Sequence, residues 1–262
     1  MWKPNKEYKR RLSKSALQTF QQCPEKFQFT HVLGLKDPSG PEAMIGQYIH
    51  KSFADFYQTL DLDKLKTPMD LVADIMRYDS GGMREHFINF ASFNVGRYKK
   101  LKKFGKEMFM KPLLSEEKIQ HPDLELVGIV DAVFQDEKGD IIVLDYKTGK
   151  YHPERITDYR MELSIYTELV ARTTSYVPTH WGIFFTKSGM FWQEKIQPKY
   201  FNDVVLPLIA KAKKAVDSGI FEPKIGPLCM WCSLKSSCSA WGGPKDPILI
   251  EQLKKAKDNI KK

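Results

Sequence analysis

Residues 124–135 (LELVGIVDAVFQ) and 141–147 (IIVLDYK) are two apolar, β-branched runs separated only by Asp136-Glu137-Lys138-Gly139-Asp140. A connection that short and polar, with a glycine in it, folds the runs back on one another as a β-hairpin. Asp131 interrupts the first run, and Asp145 and Lys147 end the second. Alternate residues of a strand share a face, so Asp145 and Lys147 project together while Tyr146 points away. The hairpin therefore gathers two carboxylates and an ammonium into a small volume. Hard divalent cations such as Mg2+ or Mn2+ take oxygen ligands of this kind. A cation held there polarises a phosphodiester and acidifies a bound water, and a nearby lysine orients that water or offsets developing charge. Asp-x-Lys alone also fits an ordinary ion pair at a strand end, so the surrounding segments decide.

Helical spacing precedes the hairpin. Residues 13–31 open on a serine suited to capping and carry Leu17, Phe20, Phe27 and Phe29, which predicts a helix around Cys23. From 41 to about 104 the spacing is again helical, interrupted near Asp79-Ser80-Gly81-Gly82. That stretch ends on Arg97, Lys99, Lys100, Lys102 and Lys103, which read either as a solvated helix face or as a nucleic-acid contact. After the hairpin come a helix at about 158–172, strands at 179–186 and 189–196 joined across Lys187-Ser188-Gly189, and a helix at about 200–218. This order predicts an α/β chain with a mixed sheet, not the regular alternation of a doubly wound fold.

The chain has 262 residues, 42% of them hydrophobic, enough for a sizeable core. Its 41 Lys and Arg against 32 Asp and Glu give a net charge of +9, which suits a polyanionic partner. No apolar run approaches the roughly 18 residues of a membrane span, and the opening MWKPNKEYKRRLSKS lacks the apolar stretch of a signal peptide. A cytoplasmic protein with reduced thiols is expected. The four cysteines fall in two places, Cys23 and the run Cys229, Cys232 and Cys238 within CMWCSLKSSC. Thiolates so spaced can converge on one centre with Cys23 as the fourth ligand, and four soft sulfurs suit either a structural zinc or a [4Fe-4S] cluster.

Several segments in order, SKSALQTFQQCPEKF, Gly46-Gln47-Tyr48-Ile49-His50, GIVDAVF and IIVLDYKTGK, resemble the successive motifs of the RecB-like PD-(D/E)xK nucleases. The resemblance implies that His50, Asp131 and Asp145 hold metal, with the main-chain carbonyl of Tyr146 as a further ligand, and that Lys147 is catalytic together with Asp145 and Asp131. The helix that follows in such enzymes presents Gln-x-x-x-Tyr. Here Glu162 replaces the Gln while Tyr166 is kept, implying a DNA contact by Tyr166; a negative charge at 162 repels DNA unless it binds metal or pairs with a cation. The resemblance also implies an additional acidic position, for which Glu117 and Glu116 compete, and either residue reads equally as plain surface. The cysteine pattern is similar to the iron-sulfur staple of AddB-type nuclease domains and of the CRISPR-associated exonucleases of cas family four, which favours the cluster over Zn2+.

The expected fold is a restriction-endonuclease-like α/β core with a mixed central sheet, a helical insert at about 55–110, and a Cys-rich segment at 225–243. One nuclease domain at 1–245 and a Lys-rich tail at 246–262 complete the expectation. The resemblance implies an exonuclease on single-stranded DNA or DNA ends, in recombination, repair or CRISPR spacer acquisition, with a recombination or adaptation complex as partner. Two rival readings are a non-hydrolytic DNA-end-binding subunit of such a complex and a zinc-stapled RNA-binding protein.

Overall fold

A computed structural model describes residues 11–35, 40–243 and 251. Apart from Glu251, the tail expected at 246–262 lies outside the described residues, as do the first ten residues of the opening segment. The helices are α1 (Lys14–Gln22), α2 (Pro24–Phe27), α3 (Pro41–Thr59), α4 (Pro68–Met76), α5 (Arg84–Lys103), α6 (Ile156–Thr173) and α7 (Leu206–Ser218). The strands are β1 (Leu114–His121), β2 (Leu126–Gln135), β3 (Ile141–Lys147), β4 (His180–Phe185) and β5 (Met190–Lys195). Packing divides the described residues into two compact units, 40–121 with 128–200, and 11–35 with 122–127 and 201–243.

The larger unit is built on a five-stranded sheet in the order β1-β2-β3-β4-β5. The expected hairpin is its centre, with β2 antiparallel to β3 from Gln135↔Ile141 to Ala132↔Leu144. Its turn closes because Asp136 Oδ1 accepts the amides of Lys138 and Asp140 at 2.8 and 2.9 Å, and Gly139 takes φ +96°, a conformation that a Cβ disfavours. β3 and β4 run parallel, and β4 and β5 antiparallel, so the sheet is mixed as expected.

One sheet face carries Ala132, Phe134, Leu144, Tyr146 and Phe184, and α3, α4 and α5 cover it with Phe53, Phe56, Leu71, Ile75, Phe87 and Phe90. Phe53 and Phe90 stack with centroids 3.6 Å apart. Burying each such side chain stabilises by about 1.5–3 kcal/mol. The stretch at 55–110, for which no motif accounts, is thus an essential helical layer of the core. The opposite face meets α6, where the Trp181 indole donates to Thr167 Oγ1 at 2.9 Å.

In the smaller unit α1 begins at Ser13, whose Oγ accepts the Ala16 amide at 3.2 Å. The helix expected to run on through Cys23 instead breaks there, with Cys23 extended at φ −161° and ψ 112°. Pro24 is the cause, since its ring disfavours helical geometry for the residue before it. The chain restarts as α2 and passes into a π-turn at Gln28–Val32. Phe27 anchors this unit, with ring centroids 5.3 Å from Phe20 and 6.2 Å from Phe221.

Candidate active site

At the end of β3 beyond its last pairing with β2, five elements of the larger unit converge. Past the paired residues Ala132 and Leu144, the Tyr146 amide donates to Asp131 Oδ2 at 2.8 Å. A side chain thus takes a main-chain donor as the two strands part. The Tyr146 ring turns into the helical layer, 5.1 Å from the Phe53 ring, while Lys147 projects towards α6. The period of two in IIVLDYK holds.

His50 reaches the site from α3, its Nδ1 3.3 Å from Asp131 Oδ1 and 3.5 Å from Glu116 Oε1. The donor atoms of His50, Glu116 and Asp131 all lie within 4.8 Å of one another. Glu116 arrives by an irregularity in β1, where it takes φ +48°. That conformation costs about 1–2 kcal/mol for a residue with a side chain. It also carries the carboxylate inward, where the buried Oε1 faces the His50 imidazole at 3.5 Å, beyond a close hydrogen bond. A buried carboxylate oxygen so weakly satisfied is unfavourable unless a cation compensates it. Burial by itself would lower the His50 pKa, but Asp131 and Glu116 outweigh it and push it up to about 10. The trio so favours positive charge that it captures a proton. Two carboxylates and an imidazole form a donor set that fits a divalent cation.

Asp145 and Lys147 form the neighbouring half of the site with Glu162 from α6. Lys147 Nζ lies 2.7 Å from Asp145 Oδ2 and 2.7 Å from Glu162 Oε2. Lys147 is thus ion-paired with both carboxylates. Burial and then the charge of Glu162 push the Asp145 pKa up to about 7, against the opposing pull of Lys147. The two carboxylates hold the Lys147 pKa above its ordinary value despite burial, so the lysine stays charged. Glu162 thereby meets the condition that its sequence context set, because it pairs with a cation.

Tyr166, for which the resemblance implies a DNA contact, lies on α6 beside Glu162. It is 8% exposed, its hydroxyl donates to Glu162 Oε1 at 3.2 Å, and its ring lies over Gly128. In this geometry the ring supports Glu162 and offers no open face to a base. The glycine of GIVD has a steric reason, since a Cβ on Gly128 would fall 2.8 Å from Tyr166 Cε1. Sequence reasoning gave no account of His86 and Thr186. The His86 ring lies 2.6 Å from Thr186 Oγ1, and the Thr186 amide and hydroxyl donate to the Lys147 carbonyl at 2.9 and 3.3 Å, so α5 braces the end of β3.

The four cysteines belong to the smaller unit. All line one cavity of about 560 Å3. The Lys224 amide points at Cys23 Sγ at 3.5 Å and the Gly226 amide at Cys229 Sγ at 3.4 Å. Burial and a hydrogen bond with Glu25 push the Cys238 thiol up to about 11. Among the described residues, no three of these sulfurs lie within 4.8 Å of one another.

A mixed sheet whose central hairpin presents Asp131, Asp145 and Lys147 beside a histidine defines a class. The chain belongs to the PD-(D/E)XK nuclease superfamily, whose family model matches residues 11–239. Among solved structures it is similar to a protein from Eubacterium rectale provisionally named an exonuclease. The two are 17% identical with a TM-score of 0.49, over 94% of this chain and 93% of that one. No curated protein matches the sequence. Among the described residues no helix is long and apolar enough to cross a membrane.

Proposed function

We propose that this chain is a Mg2+- or Mn2+-dependent deoxyribonuclease that degrades single-stranded DNA or DNA from its ends, in recombination, repair or spacer acquisition. The observation that carries the reading is the contiguity, in a PD-(D/E)XK chain, of the His50, Glu116 and Asp131 trio with Lys147 clamped between Asp145 and Glu162. His50, Glu116 and Asp131 would hold the cation together with Asp145 and the Tyr146 carbonyl. A divalent ion held there would supply Lewis-acid polarisation of the scissile phosphodiester and of the attacking water. Lys147 orients that water and offsets the charge that builds on the phosphate. Asp145 and Glu162 fix the lysine from two sides, so its ammonium needs no reorganisation as the reaction proceeds. Tyr166 holds Glu162 in turn, and the shared pull of the two acids keeps Lys147 protonated throughout.

The four-cysteine cavity is read as the seat of a [4Fe-4S] cluster. The support is the gathering of all four cysteines on one cavity wall, with the amides of Lys224 and Gly226 directed at Cys23 and Cys229 as suits thiolates. Such a group would tie Cys23 to the C-terminal segment, as a structural staple.

Cleavage of end-labelled DNA, single- and double-stranded, linear and circular, is the direct test. Degradation of linear strands with Mn2+ or Mg2+ that stops in EDTA is expected. A folded, metal-supplied protein that cuts none of these substrates refutes the reading.

A further inference from the structure

The wall of the four-cysteine cavity has a composition that holding a cluster does not explain. Besides the cysteines its described lining carries Lys26, Lys224, Lys235, Trp231 and Trp241 and no aspartate or glutamate, with Glu25 set behind it on Cys238. Trp231 is 85% exposed, the most exposed large apolar residue among those described, and Trp241 is 44% exposed. Lys235 Nζ sits 4.5 Å from the centre of the Trp241 ring, so cation and indole already form one surface. Lys224 extends over the end of α1, where its Nζ donates to the Gln21 carbonyl at 3.2 Å.

Tryptophan presents a broad face at little entropic cost, which is why exposed indoles concentrate at binding surfaces. An apolar protein partner laid over this rim would strip water from its ammonium groups and return no opposite charge, at a large penalty. A cationic ligand would meet only like charge. A flexible polyanion with flat rings satisfies both halves of the surface at once, since its bases stack on indoles and its phosphates meet lysines.

We propose that Trp231, Trp241, Lys224 and Lys235 form a contact for single-stranded DNA on the rim of the cysteine cavity. Trp231 supplies the free stacking face, and the lysines meet the flanking phosphates. The proposal takes the identity of its polymer from the nuclease reading. It adds a binding site outside the catalytic groups.

The test is equilibrium binding of a fluorescein-labelled oligothymidylate to the intact, cluster-bearing protein without divalent metal, followed by anisotropy at several salt concentrations. Trp231→Ala should weaken binding about fivefold to a hundredfold, as expected for loss of one stacked base, while Trp231→Phe stays within about threefold. Lys235→Ala should lower the log-log salt slope by about 0.7, and Trp231→Ala should leave that slope unchanged. Iron content and melting temperature show whether Trp231→Ala preserves the fold. Should it not, Trp231→Phe and Lys235→Ala carry the test. Wild-type affinity in a folded Trp231→Ala protein overturns the proposal, as does a change confined to self-association. Cleavage by the wild-type protein, assayed separately, keeps the two readings apart. DNA cut normally with Trp231 irrelevant sinks the rim, whereas DNA bound through Trp231 but never cut sinks the nuclease.

Discussion

Replacing Gly128 by alanine tests whether the strand that carries Asp131 also sets the catalytic lysine. The added Cβ would lie 2.8 and 3.0 Å from Cε1 and Cδ1 of Tyr166 and 3.0 Å from Leu169 Cδ1. Carbon atoms settle at about 3.5–4.0 Å, so the ring must retreat by roughly 0.5–1 Å. It is buried, and its hydroxyl is tied to Glu162, which grips Lys147 at 2.7 Å. The retreat is therefore passed to the lysine. Overpacking of this kind costs about 1–3 kcal/mol. For a chain of this size that lowers Tm by about 2–12 °C. A displacement near 1 Å in a catalytic group lowers kcat by up to about a hundredfold. Thermal unfolding and steady-state cleavage on end-labelled DNA read the two effects. Tyr166→Leu in the same chain removes the obstacle, so the penalties of the double variant should fall short of their sum by about 0.5–3 kcal/mol. A Gly128→Ala protein with wild-type Tm and kcat, or a strictly additive double variant, refutes the coupling.

Asp145→Ala and Lys147→Ala should each abolish cleavage while leaving DNA affinity within a fewfold of wild type by anisotropy; wild-type turnover in either folded variant removes the assigned chemistry. Glu116→Gln should raise the Mn2+ concentration needed for half-maximal activity severalfold, whereas Glu117→Gln should not, and a metal titration in which the two behave alike would deny Glu116 its place. Protein purified without oxygen should be brown and contain iron, and Cys23→Ala should lose colour and melt earlier. Colourless protein with one zinc per chain would put zinc in place of the cluster.

Periodicity made the centre of the site legible and hid its edges. The hairpin was readable because a five-residue polar turn between β-branched runs leaves the chain few alternatives, and from that followed the shared face of Asp145 and Lys147. His50 depended on resemblance, since a lone histidine on a helix looks the same whether it packs or binds. Glu162 carried a legible condition, a charge needing a cation, but its partner lies fifteen residues back on another element.

Glu116 is the instructive case. Ile119 is buried in β1, so a regular strand would turn Glu117 inward with it and leave Glu116 in solvent. The left-handed backbone at Glu116 resets that parity, so that Glu116 enters the site and Glu117 faces out. Nothing local in LSEEKIQ demands the irregularity, and glutamate resists it. Its context is tertiary, because His50 on α3 and Asp131 on β2 stand where Glu116 supplies the third donor of the proposed cation site. The strain at Glu116 and the burial of Oε1 against His50 are then two sides of one arrangement. Under the proposed function both are costs that cation binding would offset, at the residue that strand periodicity points away from.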